Sequence, residues 1–111
     1  FWAEWCGPCK QSFPWMNDMQ TRYGSKGFQV VAINVDKKPS DAAGFLRATA
    51  PVFSIAYDPA GSTPQLFQVK AMPSSFLIGT DGRVIATHAG FRDADRSPLE
   101  QSIRQALGIK E

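Results

Sequence analysis

Cys6 and Cys9 are the only two cysteines of the chain, and they stand three residues apart in Trp5-Cys6-Gly7-Pro8-Cys9. Two thiols at that spacing can close a disulfide, and as a dithiol they can attack another one. A bridge over so short a loop restrains the unfolded chain only locally, so it adds little stability. A secreted scaffold held by disulfides would carry more cysteines, spread along its length. The pair is therefore read as chemistry rather than as a staple. One structural alternative is a zinc knuckle, which needs four ligands. The chain adds only one histidine to the two cysteines, His88, far along the sequence. The other alternative is a buried, inert pair, and the Trp5 and Pro8 surroundings argue against it.

The nucleophile in such chemistry is the thiolate. Beyond Cys9, the residues Phe13, Met16, Met19 and Tyr23 recur at helical spacing. Cys6 thus falls where that helix should begin. Free backbone N–H groups and the positive end of the helix dipole stabilise an anion there. The Cys6 pKa should be depressed, to about 7 or below as in other sites of this spacing. Cys9 lies almost one turn further in and should be more buried. Cys6 is then the attacking thiolate, and Cys9 resolves the mixed disulfide. Pro8 fixes φ and needs no N–H partner in a first turn. Gly7 keeps the approach to Cys6 open.

The elements that must hold this pair can be read in order. Residues 1–3 are apolar and fit the end of a strand. Gly24 is a stop for the first helix, and Pro14 inside it should kink it. Residues 28–35 are nearly continuous in apolar, β-branched character, which suits a strand buried on both faces. A short helix is expected from Ser40 to Thr49, ending before Pro51. A short strand over 52–57 follows, then a turn-rich stretch with Pro59, Gly61 and Pro64, and a helical turn to about Val69. Residues 75–78 and 83–87 read as strands of a hairpin around Thr80-Asp81-Gly82. Ser97, Pro98 and Glu100 suit the N-cap, first and third positions of a last helix. Leu99, Ile103, Ala106 and Leu107 share one face of it, and Gly108 closes it. The fold class is α/β: a parallel βαβ unit, then an antiparallel hairpin, in one mixed sheet with helices on both faces.

With 111 residues the chain fits a single domain, 1–111, large enough to bury a core. A net charge of +2 is too small to suggest a nucleic-acid partner, and the Lys and Arg residues are scattered. No apolar run reaches the length of a membrane span, and no repeat stands out.

The segment Phe1-Trp2-Ala3-Glu4-Trp5-Cys6-Gly7-Pro8-Cys9-Lys10 resembles the active-site segment of thioredoxins. Pro14, Tyr57-Asp58-Pro59, Met72-Pro73-Ser74-Ser75-Phe76-Leu77-Ile78 and Asp81-Gly82 resemble one branch of that superfamily. This is the TlpA/ResA-like branch of periplasmic or membrane-anchored thiol-disulfide oxidoreductases. The resemblance implies a thioredoxin-like fold with a mixed central sheet flanked by helices. The first strand would be truncated at the N-terminus, with only three of its residues present. It implies Cys6 as nucleophile and Cys9 as resolving cysteine. Pro73 would be the family's cis-proline beside the disulfide, turning the Met72 backbone toward an extended substrate segment. Plain core packing is the alternative for Met72. Trp5 would belong to the apolar collar where substrate docks, with ordinary packing as its alternative, and Trp2 should pack. Trp5, Gly7, Pro8, Met72 and Pro73 are thus the candidate substrate-binding residues. The buried acid that relays protons in thioredoxins would precede Phe1. Glu4 is a conceivable substitute, although an acid there also complements the helix dipole. His88 is expected to be a surface or capping residue, and Lys10 and Arg92 to be solvated.

The leading function is reduction of protein disulfides, since Gly-Pro between the cysteines resembles the reducing members. No metal or organic cofactor is needed. The implied partners are protein disulfide substrates, such as apocytochromes c or other envelope proteins, and an electron-donor thiol protein in the membrane. A monomer in the cell envelope is expected, with the cytoplasm as the alternative. Three other functions use the same residues. One is disulfide oxidation or isomerisation at a higher potential. Another is a Cu(I) chaperone, with Met72 as the third ligand. The last is a docking module without activity.

Overall fold

The computed structural model describes residues 1–109. Helix α1 spans Gly7–Tyr23, with Cys6 as its N-cap in extended conformation. Pro8 stands in the first turn, where a missing N–H costs nothing. The helix runs on through Pro14. It ends at Tyr23 with Gly24 as its C-cap, as expected; a 3-10 turn, Gly24–Lys26, follows, and Gly27 at φ 102° ends the run. That left-handed conformation is the one glycine adopts without a Cβ penalty.

The strand expected over 28–35 is narrower. Strand β1 is Val31–Asn34. The cause lies in α1, where Gln20 takes over the backbone just before it. Gln20 Nε2 donates to the Phe28 carbonyl (3.1 Å), and its Oε1 accepts from Val30 N–H (2.8 Å). Those groups need no sheet partner. A 3-10 turn over Pro39–Ala42 leads into helix α2, Ala43–Thr49. Then come strand β2, Ser54–Tyr57, and the short helix α3, Ser62–Leu66. Asp58 organises the connection by accepting from Gly61 N–H (3.2 Å) and Thr63 N–H (2.6 Å). Strands β3, Ser74–Ile78, and β4, Val84–Ala89, form the expected hairpin, with Gly82 at φ 83° in its turn.

Helix α4, Arg96–Ala106, begins before the Ser97 cap that its sequence suggests. A 3-10 turn over Asp93–Asp95 precedes it, and the Asp95 carboxylate accepts from Arg92 N–H (2.8 Å). The Asp95 carboxylate thus caps the 3-10 turn and makes no side-chain capping bond to α4, and Ser97 sits inside the first turn of α4. Glu100 is drawn away to Tyr23 and Arg22 on α1.

The sheet comes in two pieces. β1 and β2 pair in parallel, Val31 opposite Ser54 through Asn34 opposite Tyr57. β3 and β4 pair antiparallel, Ser74 opposite Ala89. Residues 1–2 are the seam between them. Trp2 bridges Asn34 in parallel, with Trp2 N–H donating to Ile33 (3.0 Å) and Val35 N–H to Trp2 (2.9 Å). On the other side the Phe1 nitrogen donates to the Ser74 carbonyl (2.9 Å). The mixed sheet is thus present, and its first strand is reduced to this short bridge, as expected.

Buried side chains form two clusters, and α1 contributes to both. One holds Trp2, Cys6, Cys9, Phe13, Phe45 and Phe53. Its rings meet mostly edge to face, Phe13 lying 4.9 Å from Trp2, 4.8 Å from Phe45 and 5.2 Å from Phe53. The other holds Met19, Tyr23 and Ile103, with Leu77 and Leu107 packed against it. Trp2 packs, as its sequence context suggests.

Candidate thiol–disulfide site

Cys6 and Cys9 are joined by a disulfide at the start of α1, with their Cα atoms 5.3 Å apart. Cys6 owes its place to the N-cap position. Its φ and ψ are −90° and 108°, and its Sγ accepts from Cys9 N–H at 3.2 Å. An N-cap side-chain atom ordinarily satisfies one of the orphan donors of the first turn, and here sulfur does so. On reduction the same donor and the helix dipole favour a thiolate on Cys6 over one on Cys9. Cys9 is fully buried, whereas Cys6 keeps a trace of exposure. The asymmetry runs in the expected direction. Ser12, one turn on and buried, donates its hydroxyl to the Cys9 carbonyl (2.8 Å).

Around the disulfide, Gly7 and Pro8 are exposed, and a Cβ added to Gly7 would meet no atom within 4 Å. Internal packing therefore does not demand glycine there, and the open space faces outward. Trp5 is 67% exposed, a large apolar surface beside the sulfurs. The Met72–Pro73 peptide is cis. Pro73 is buried, and Met72 packs against the cluster that contains both cysteines. The Pro73 carbonyl accepts from Gly90 N–H at 2.7 Å, which ties it to the end of β4. Among the described residues no hydrogen bond uses the Met72 backbone. An extended segment could pair with it.

Among the described residues, none of the remaining candidates makes a hydrogen bond or ion pair with either sulfur. His88 Nε2 is 3.1 Å from Asp95 Oδ2, a close polar contact. It joins β4 to the turn before α4, the bland role expected of it. His88 foremost, and then the Arg92 N–H, hold the Asp95 carboxyl below the usual carboxylate range. Lys10 is exposed, but Arg92 is not wholly free: its guanidinium lies 3.9 Å from Asp95. Glu4 is half-buried in the turn before Cys6. Among the described residues no three His, Cys, Asp or Glu side chains come together as a metal site. A cleft of about 410 Å³ is lined by residues of α1, β1, β3, β4 and α4. Pro73 lines it, but neither cysteine does, so it belongs to the short seam of the sheet and not to the thiols.

Sequence reasoning missed Asn34 and Asp36. Both are buried at the end of β1. Asp36 Oδ2 accepts from Asn34 Nδ2 (2.7 Å) and from Glu4 N–H (2.9 Å), and Asp36 N–H donates to Asn34 Oδ1 (3.2 Å). The available signal was a polar residue, Asn34, interrupting an apolar run that should be buried on both faces.

A Cys-x-x-Cys disulfide at a helix N-terminus and a cis-proline leading into the hairpin of a mixed α/β fold define a thioredoxin-like fold. The chain belongs to the Redoxin family, whose profile it matches over residues 1–103. It is similar to the crystal structure of a candidate thiol:disulfide interchange protein DsbE from Chlorobium tepidum. The TM-score is 0.95 at 58% identity, covering 97% of this chain and 77% of that one. It is 30% identical over 105 residues to the thiol-disulfide oxidoreductase ResA of Bacillus thuringiensis subsp. konkukian. That match covers 95% of this chain and 60% of its relative, so the chain spans well under two thirds of the relative's length. StoA from Bacillus subtilis shares the fold, with a TM-score of 0.77 at 24% identity over 93% of this chain and 78% of that one.

Proposed function

We propose that residues 1–111 form one thioredoxin-like domain that reduces protein disulfides, with Cys6 and Cys9 as the catalytic pair. The observation that carries the reading is the Cys6–Cys9 disulfide at the N-cap of α1, in a cluster against which Met72 of the cis Met72–Pro73 peptide packs. The names of the ResA and DsbE relatives support thiol–disulfide exchange as the chemistry, and the reducing direction rests on Gly7-Pro8 between the cysteines.

In the reduced protein, the Cys6 thiolate attacks one sulfur of a substrate disulfide. A mixed disulfide forms and the other substrate sulfur leaves as a thiolate. Cys9, deprotonated, then attacks Cys6 Sγ. The Cys6–Cys9 bond forms, and the second substrate sulfur leaves as a thiolate that takes up a proton. The substrate gains two electrons, and the domain is oxidised. A thiol protein must return those electrons; the resemblance to the TlpA/ResA-like branch suggests a membrane-bound donor in the cell envelope. Trp5, Gly7, Pro8, Met72 and Pro73 receive the substrate. Trp5 supplies apolar contact, Gly7 and Pro8 leave the approach open, and the unpaired Met72 backbone accepts an extended strand.

A trapping experiment checks the division of labour. Cys9→Ser, incubated with an oxidised model protein such as insulin, should accumulate a mixed disulfide through Cys6. Cys6→Ser should accumulate none. A mixed disulfide formed through Cys9 in Cys6→Ser, and not through Cys6, would reverse the assignment.

A further inference from the structure

We infer that Asp36 is a positioning residue for Cys6: its buried carboxylate holds the turn that presents the nucleophile. The inference rests on the catalytic reading of Cys6. Asp36 is 5% exposed, yet it takes part in no ion pair among the described residues. A buried carboxylate is costly unless its lone pairs are used. Here they are spent on the backbone leading into the site. One oxygen, Oδ2, accepts from both Glu4 N–H and the Asn34 side chain. Asn34 is fully buried and closes the pair by accepting from Asp36 N–H. The pair is itself anchored to the sheet, since the Asn34 carbonyl accepts from Asp58 N–H at 2.8 Å. From Glu4 the path to the sulfur is short. The Ala3 carbonyl accepts from Cys6 N–H (3.2 Å), so Glu4 and Trp5 are the middle of one hydrogen-bonded turn. Asp36 fixes the first of those two peptides. That turn sets the N-cap conformation in which Cys6 Sγ accepts from Cys9 N–H. Loss of the acceptor would free the turn, and Cys6 would lose part of the donor geometry that favours its thiolate.

The experiment measures alkylation of the reduced protein by iodoacetamide across pH, in Asp36→Ala and Asp36→Asn. Asparagine can place its amide oxygen where Oδ2 lies, keeping both donors satisfied while removing the charge. Asp36→Ala should slow Cys6 alkylation at pH 7 by about tenfold, the scale of one charge-assisted hydrogen bond, and move the pH midpoint upward. Asp36→Asn should stay within about twofold of the parent rate. An unchanged rate and midpoint in folded Asp36→Ala would overturn the assignment. So would an Asp36→Asn that falls as far as Asp36→Ala, because charge rather than acceptance would then be at work. Should Asp36→Ala not fold, amide exchange in the parent protein decides. Glu4 N–H must be protected relative to an unstructured peptide, and an unprotected amide would contradict the clasp. Alkylation needs no disulfide substrate, so this result stands or falls separately from the reductase reading.

Discussion

The two ends of α1 use polar groups in opposite ways. At its N-terminus, the groups around the sulfurs are buried and bind backbone: Asp36 to Glu4 N–H, Ser12 to the Cys9 carbonyl, Pro73 to Gly90 N–H. Near its C-terminus, Arg22 is half-exposed and pairs with Glu100 of α4 at 2.9 Å. The Tyr23 hydroxyl donates to the same carboxylate and accepts from Arg104 (3.0 Å). The first arrangement fixes atoms in place through hydrogen bonds to backbone groups. The second joins two helices through charges that water and salt can reach. Precision at the thiols and attachment at the far end are therefore built from different chemistry. Glu100 raises the Arg22 pKa above its ordinary value, the largest of several causes, but an exposed pair of this kind contributes little stability.

The comparison can be broken at graded points. The largest effect belongs to the sulfurs: Cys6→Ser should abolish disulfide reduction while leaving the fold intact, as insulin turnover and circular dichroism would show. Next is Phe13, fully buried among Trp2, Phe45 and Phe53. Phe13→Ala should cost about 3–5 kcal/mol in urea unfolding, because it opens a cavity directly behind the cysteines. Asp95 comes third. Its carboxyl is held low in the folded protein, so its stabilisation is complete above the unfolded carboxyl value of about 3.9 and is lost as pH falls through the lower folded value. Asp95→Asn should therefore lower the melting temperature at pH 7 and flatten its decline in acid. A parallel acid limb in both proteins would remove Asp95 from the account. The smallest effect is expected from Glu100→Gln, a slight loss of stability that added salt erases.

Much of this was legible in the sequence, for physical reasons. The Cys-x-x-Cys spacing, the periodic apolar residues of α1 and the Asp81-Gly82 turn are local signals, and the structure follows them. One mistake arose where a distant side chain captured a backbone. Gln20 shortened β1 from the helix side. At the last helix the difference is local: a 3-10 turn over Asp93–Asp95 runs straight into α4 at Arg96, one residue ahead of Ser97. Asp36 escaped notice because its value depends on Glu4, 32 positions away, and no local pattern encodes that pairing. The cis state of Pro73 was available only through resemblance, since an isolated X–Pro bond favours trans.

The central claim is that the Cys6–Cys9 couple donates electrons. The most direct test equilibrates the domain in dithiol buffers of known potential and follows tryptophan fluorescence, using Trp5 beside the disulfide. The account predicts one reversible two-electron transition near the thioredoxin value of about −270 mV. A midpoint near the DsbA value of about −120 mV would make the domain an oxidant and contradict it.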